Sequence, residues 1–294
     1  MKYLILRKRY GATENPFTEM VSAEGGRVLG FPFEADTQDL KEHEVGDLKR
    51  DPNVEELVPS IFFKLIAPVE ESAAAPATRA AWGPDAVGAT RCLQNGDGVT
   101  VAVLDTGIDS DHPAFQGLSL DATNLKDFVV DERGEAGSAP DAHGHGTHVA
   151  ATIFGRDVNG TRIGIARGVK RVLIGKVLGP QGGSTEAIFN AIEWALGQRA
   201  DVISMSLGTD FPGMVKRLVE TGFPVDIASS RARTDRTCAY SIGLPRWSKR
   251  ALHVGAVLCW WQLPAMKVAG NKTLASPSRW PPRQQPTVSF PLAP

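Results

Sequence analysis

Cysteine is scarce and unpatterned: Cys92, Cys238 and Cys259 lie far apart and are odd in number, so they form neither a Cys-x-x-Cys pair nor a disulfide framework. That points to a cytoplasmic or leaderless setting. No apolar run approaches the roughly 18–20 residues that a membrane span needs. The apolar stretch 3–6 is short and is followed, not preceded, by Arg7-Lys8-Arg9, which is the wrong order for a secretory leader. Charge of one sign is also missing as an excess. With 32 basic and 33 acidic residues the net charge is −1, which gives no support for a nucleic-acid partner. Acids are absent from one end: the last are Glu220 and Asp235, whereas the final stretch holds Arg236, Arg246, Lys249, Arg250, Lys267, Lys272, Arg279 and Arg283. Four of the 6 tryptophans, Trp247, Trp260, Trp261 and Trp280, fall there as well. What remains is ordinary for a globular chain, with 42% hydrophobic and 22% charged residues.

Residues 1–67 read as a small α+β, ferredoxin-like unit. Strands are expected at 3–6, 27–33, 53–58 and 60–66, with a polar helix over 37–49 that starts after Asp36 as N-cap. Residues 68–82, rich in Pro, Ala and Ser and without periodicity, read as a linker. From 83 the pattern alternates. Strands are expected at 98–104 (ending in Asp105), 171–178, 201–207 and 224–228, and helices at 145–154, 184–198 and 211–221. Apolar strands alternating with helices imply an α/β fold: a doubly wound, mostly parallel sheet with its reactive groups beyond the carboxyl ends of the strands. After Ser230 this grammar stops, and residues 231–294 are expected to be aberrant and poorly ordered.

Three segments carry chemistry. In Val101-Ala-Val-Leu-Asp105-Thr-Gly-Ile-Asp109, a buried strand ends in an acid that needs a donor, and Gly107 lets the chain turn past it. Alone it could be a strand-ending turn or an aspartic-protease motif. In Asp141-Ala-His143-Gly-His145-Gly-Thr-His148-Val-Ala-Ala151, a histidine at a helix start can serve as general base if an acid fixes its tautomer. The same cluster could be packed histidines at a cap. It could also be a metal site of His143, His145, His148 and Asp141, although the i,i+3 histidines lack the glutamate of a metalloprotease helix. In Ser204-Met205-Ser206-Leu207-Gly208, a strand end could pair with an extended peptide, with Gly182-Gly183-Ser184 as the other wall of a groove.

Together, in this order, these segments and Lys176-Val-Leu resemble the subtilisin-like serine proteases (subtilases, peptidase family S8) over about residues 82–210. The resemblance implies a serine-type endopeptidase that needs no cofactor. Asp105 would orient His145, His145 would be the general base and His148 structural. Ser206, Leu207, Gly208, Gly182, Gly183 and Ser184 would hold a peptide or protein substrate. The first unit, most clearly at Leu48-Lys-Arg-Asp-Pro-Asn-Val-Glu-Glu-Leu, resembles the family's N-terminal inhibitor segment, removable by cleavage in the linker. Parts of the family pattern are absent. There is no Gly-Thr-Ser-Met-Ala nucleophile motif, and no oxyanion Asn between Asn190 and Asn271. Thr273 in Asn271-Lys-Thr-Leu-Ala-Ser276-Pro sits in a loosely similar place without the Gly-Thr lead. Ala114 stands where the family often has a calcium-ligating Asp, and Ala151 where it has Gly. The expectation is therefore a disrupted subtilase with no identified nucleophile and no turnover. A peptide-binding pseudoprotease and a metal-dependent hydrolase stand as the alternatives.

Overall fold

In the computed structural model, which describes residues 2–8, 19–21, 27–29, 33–65, 82–129, 134–220, 222–232 and 257–260, the N-terminal part is built around β1 (Lys2–Lys8). Leu4 and Leu6 face one side of this strand and Tyr3 and Ile5 the other, the period-two pattern of a strand covered on both faces. β2 (Glu19–Val21) and β3 (Arg27–Leu29) pair with each other. β4 (Phe33–Asp39) runs antiparallel to one edge of β1. Helix α1 (Glu42–Leu48) lays Val45 and Leu48 on Tyr3 and Ile5, and β5 (Val54–Pro59) closes the other edge, giving the order β4-β1-β5. The helix expected from residue 37 thus begins only at Glu42, and Asp36 lies within β4 instead of capping it. Half-buried Ala35 and Thr37 alternate with exposed Glu34, Asp36 and Gln38, and this strand period outweighs the polar composition. β6 (Phe62–Leu65) then leaves this sheet.

Helix α2 (Trp82–Ala86) opens the larger part. Its sheet comprises β7 (Thr100–Asp105), β8 (Leu125–Asp127), β9 (Glu135–Ala136) and β10 (Arg171–Lys176), with α3 (His145–Phe154) between β9 and β10. There follow β11 (Gly183–Ser184), α4 (Thr185–Gly197), β12 (Val202–Met205), β13 (Leu207–Thr209), α5 (Phe211–Glu220), a helix α6 at 225–232, and β14 (Val257–Trp260). The strand order is β14-β12-β7-β10-β8-β9, parallel except for β9. Every residue of β7 is buried. Ala102 and Leu104 pack towards α4 and α5, and Val101 and Val103 towards α3, so helices cover both faces. This is the doubly wound α/β architecture that the alternation of elements implies.

One expectation fails here. Residues 224–228 are not a strand, because Ala228 N–H donates to Pro224 O (2.8 Å) as the first turn of α6. Ala228 and Ala232, four apart, are its buried residues, whereas Val225 and Ile227 are exposed. Within the stretch expected to lack regular structure, 257–260 form a strand in parallel register with β12, Val202 opposite Val257. A buried strand leaves an open ladder that any extended segment can complete. The rest of 233–294 and the linker 66–81 lie outside the described residues. Among the described residues, no helix is long and apolar enough to cross a membrane. The elements above belong to one unit, Met1–Trp261.

Candidate active site and peptide groove

Asp105 is the last residue of β7 and is 1% exposed. Beyond it the chain turns through Thr106-Gly107, and α3 approaches end-on. The approach requires glycine at 146, since a Cβ there would lie 2.2 Å from Gly107 O. This contact brings His145, the first residue of α3, over the end of β7. His145 Nδ1 and Asp105 Oδ1 are 2.7 Å apart, and the Thr106 N–H donates to the same oxygen at 2.7 Å. An ionised carboxylate only accepts, so the neutral imidazole carries its proton on Nδ1 and leaves Nε2 as the basic atom. The hydrogen bond to Asp105 raises the His145 pKa above its usual value; burial opposes this, and the charges of Asp105 and Asp141 add to it. Among the described residues Asp105 is the imidazole's one hydrogen-bond partner, and Asp105 Oδ2 is buried without one.

Asp141 fixes the loop that leads into α3. Its carboxylate accepts from the Thr106 hydroxyl (2.8 Å), the N–H groups of His143 (3.0 Å) and Gly144 (2.8 Å), and both the N–H (2.9 Å) and hydroxyl (2.6 Å) of Thr147. Burial pushes this carboxyl up, but the hydrogen bonds from Thr147, Gly144 and Thr106 outweigh it and hold the pKa at about 2. That occupancy leaves Asp141 no free lone pairs for a metal. Among the described residues no group of three His, Cys, Asp or Glu side chains could hold a metal ion, and His143 and His148 are exposed.

Beside this pair, β6 lies between β11 and β13 as the middle strand of a three-stranded antiparallel sheet. Phe62 and Phe63 face Ser184 and Gly183, while Phe63, Lys64 and Leu65 face Thr209, Gly208 and Leu207. The segments 182–184 and 207–209 therefore flank a groove filled by an extended strand. Gly182 has φ +91°, and a Cβ there would stand 2.1 Å from Phe63 O, so only glycine lets the strand pass. Inward-facing Phe63 joins the main core, and Leu65 packs against it. Outward-facing Phe62 lies under the Arg217 guanidinium at 4.6 Å, and Lys64 Nζ meets Asp210 Oδ2 at 2.6 Å. Above the groove, the Ser60 hydroxyl donates to buried Glu186 Oε2 (2.8 Å), and the Ile61 N–H to Thr185 Oγ1 (2.9 Å).

Among the residues singled out in the sequence, Asp105 and His145 come together, Leu207 and Gly208 lie along one side of β6, Gly182, Gly183 and Ser184 lie along the other, and Ser206 immediately precedes the paired residues of β13. Asn271 and Thr273 lie outside the described residues. Sequence reasoning missed Thr106 and Thr147 as partners of Asp141, and Asp210 and Arg217 as partners of β6. The outward Phe62 and Lys64, alternating with Phe63 and Leu65, are the signal that points to the second pair.

The subtilase family model (peptidase S8) matches residues 96–291, well past residue 210, where the recognisable motifs end. The major intracellular serine protease of Bacillus subtilis (strain 168) is 37% identical over 169 residues, covering 55% of this chain and 52% of that protein. Subtilisin E of the same organism is 31% identical over 252 residues, covering 81% of this chain and 60% of that protein. The chain thus spans little more than half the length of these relatives. A solved structure of a cold adapted subtilisin-like serine proteinase shares 31% identity over 49% of this chain and 45% of that one, with a TM-score of 0.33. With two thirds of its residues inside the family match and its acid, histidine and strand motifs in the family's order, the chain belongs to the subtilase family.

Proposed function

We propose that this chain carries the acid–base pair and the peptide groove of a serine-type endopeptidase. The observation that carries this is the 2.7 Å pairing of Asp105 with His145 at the rim of a groove that already holds an extended strand. Asp105 fixes the tautomer and stabilises the imidazolium. His145 Nε2 takes the proton of a serine hydroxyl as that oxygen attacks the peptide carbonyl. It then returns the proton to the leaving amine, and water hydrolyses the acyl-enzyme by the same steps. The family name and the names of the relatives support this chemistry. In the test, a fluorophosphonate probe labels a serine and peptide hydrolysis is lost in His145→Ala; peptidase activity unchanged in that variant would overturn the assignment.

A second reading has specific support. The 294 residues contain no Gly-Thr-Ser-Met-Ala motif, and no described hydroxyl is hydrogen-bonded to the imidazole. On this reading the chain binds peptides without turning them over, and the probe leaves it unlabelled while peptide binding persists.

The N-terminal part acts as an intramolecular inhibitor in either case. Support comes from β6, which fills the space a substrate strand needs and is tethered to the groove at high effective concentration. Cleavage after β6, in or before the linker 68–82, would free the groove. An intracellular setting is proposed from the name of the Bacillus relative and from the sparse, unpaired cysteines.

A further inference from the structure

The side chains of β6 divide into two sets. Phe63 and Leu65 point into the core, whose apolar lining accepts many residues of suitable size. Phe62 and Lys64 point the other way, Phe62 towards α5 and Lys64 towards Asp210 just before it. Lys64 Nζ reaches Asp210 Oδ2 at 2.6 Å, and the Arg217 guanidinium covers the Phe62 ring at 4.6 Å. Asp210 is held for this task. Its side chain is 15% exposed, and its Oδ1 accepts the Gly213 N–H (3.2 Å) at the start of α5, so Oδ2 has a fixed position beside the strand. Backbone pairing along β11 and β13 is blind to side chains, so selectivity must come from contacts such as these.

We propose that Asp210 and Arg217 form a selectivity wall that reads the outward side chains of any peptide in this groove, choosing lysine or arginine opposite Gly208 and an aromatic ring two residues before it. The proposal rests on the groove being the peptide site, and β6 is the occupant whose contacts reveal the preference. The guanidinium over the ring lies on α5, and the carboxylate beside the ammonium lies on the residue that immediately precedes that helix. A peptide with an acid opposite Gly208 would bring two carboxylates together, and one with an aliphatic residue in place of Phe62 would lose the cation–π contact.

The test uses the full chain and fluorescein-labelled peptides of the sequence Ser-Ile-Phe-Phe-Lys-Leu-Ile, with Arg, Ala or Glu in place of Lys and Leu in place of the first Phe. Binding is read by anisotropy. Competition from β6 scales every affinity by the same factor, so the ratios are informative. The Arg peptide should bind like the Lys peptide. The Ala peptide should bind roughly three- to fivefold more weakly, as expected for a partly exposed ion pair, and the Glu peptide more weakly still. In Asp210→Asn, which keeps an acceptor for the Gly213 N–H, the Lys-to-Ala ratio should fall to about one. In Asp210→Lys the Glu peptide should become the better ligand. Arg217→Gln should erase the preference for Phe over Leu and leave the Lys-to-Ala ratio intact. If all peptides bind the wild-type chain equally well, the selectivity wall is wrong and the groove stands. If none binds even after the chain has been cut in the linker 68–82 and the N-terminal part dissociated, the groove reading is wrong and the wall falls with it.

Discussion

At His145 the protonation balance follows from what faces the ring. Asp105 and Asp141 favour the imidazolium and burial disfavours it, and the net effect is a raised pKa. Asp105→Asn should therefore lower the pKa read from the ring proton by NMR, because burial then acts with one carboxylate fewer against it. Stability should follow the same group. A raised folded-state pKa contributes stability that is fully present below about pH 6.5 and is lost as pH rises through the folded value. Denaturant titrations should show wild type exceeding Asp105→Asn by more at pH 5.5 than at pH 8.5. Asp141 has the opposite sign. Its carboxyl lies at about 2 against an ordinary 3.8, so its contribution is present above pH 3.8 and disappears as pH falls towards 2. Asp141→Ala leaves the Thr147 and Gly144 donors unpaired and should cost about 2 kcal/mol at neutral pH, measured by urea unfolding. At pH 2 the cost should shrink.

Among the elements, the glycine-edged wall at 182–184 is tightly constrained. Gly182→Ala should loosen β6 because a methyl group there meets Phe63 O, and hydrogen exchange at 62–65 should rise while exchange in β7 stays slow. The central strands and helices were legible in sequence because their patterns are local. The unbroken apolar run of β7 ends in Asp105, the 3.6-residue period of α4 follows Ser184 as N-cap, and α3 starts at His145. The Asp105–His145 pair was legible through motif order, although its distance depends on Gly146 meeting Gly107, which no local pattern announces. Residues 37–40 misled because acids and amides on a solvent-facing strand look like a polar helix start. Residues 224–228 misled because Pro224, Val225 and Ile227 suit an exposed strand as well as a first helical turn. The departure of β6 from its own sheet was illegible, since its partners β11 and β13 are distant in sequence and their backbone ladders leave no compositional trace.

For the molecule as a whole, described side chains join the N-terminal sheet to the larger part. The Phe189 ring of α4 packs with Leu4, Leu6 and Val58 and so joins β1 and β5 to the larger part. Phe189→Ala should cost about 3 kcal/mol and should raise exchange in β1 before that in β7. Ile61 and Phe63 go further and belong to the same core cluster as Leu104 and Leu207. This has a bearing on biogenesis. Ser60 and its partner Glu186 are 126 residues apart. At about 5–20 residues per second, a ribosome needs on the order of ten seconds to deliver the second after the first. During that interval Phe62 and Phe63 are exposed on a nascent chain with no cleft to enter. When the cleft forms it closes around them; if the inhibitory role proposed for the N-terminal part holds, the chain leaves translation already gagged, and cutting the polypeptide, not folding it, opens the site.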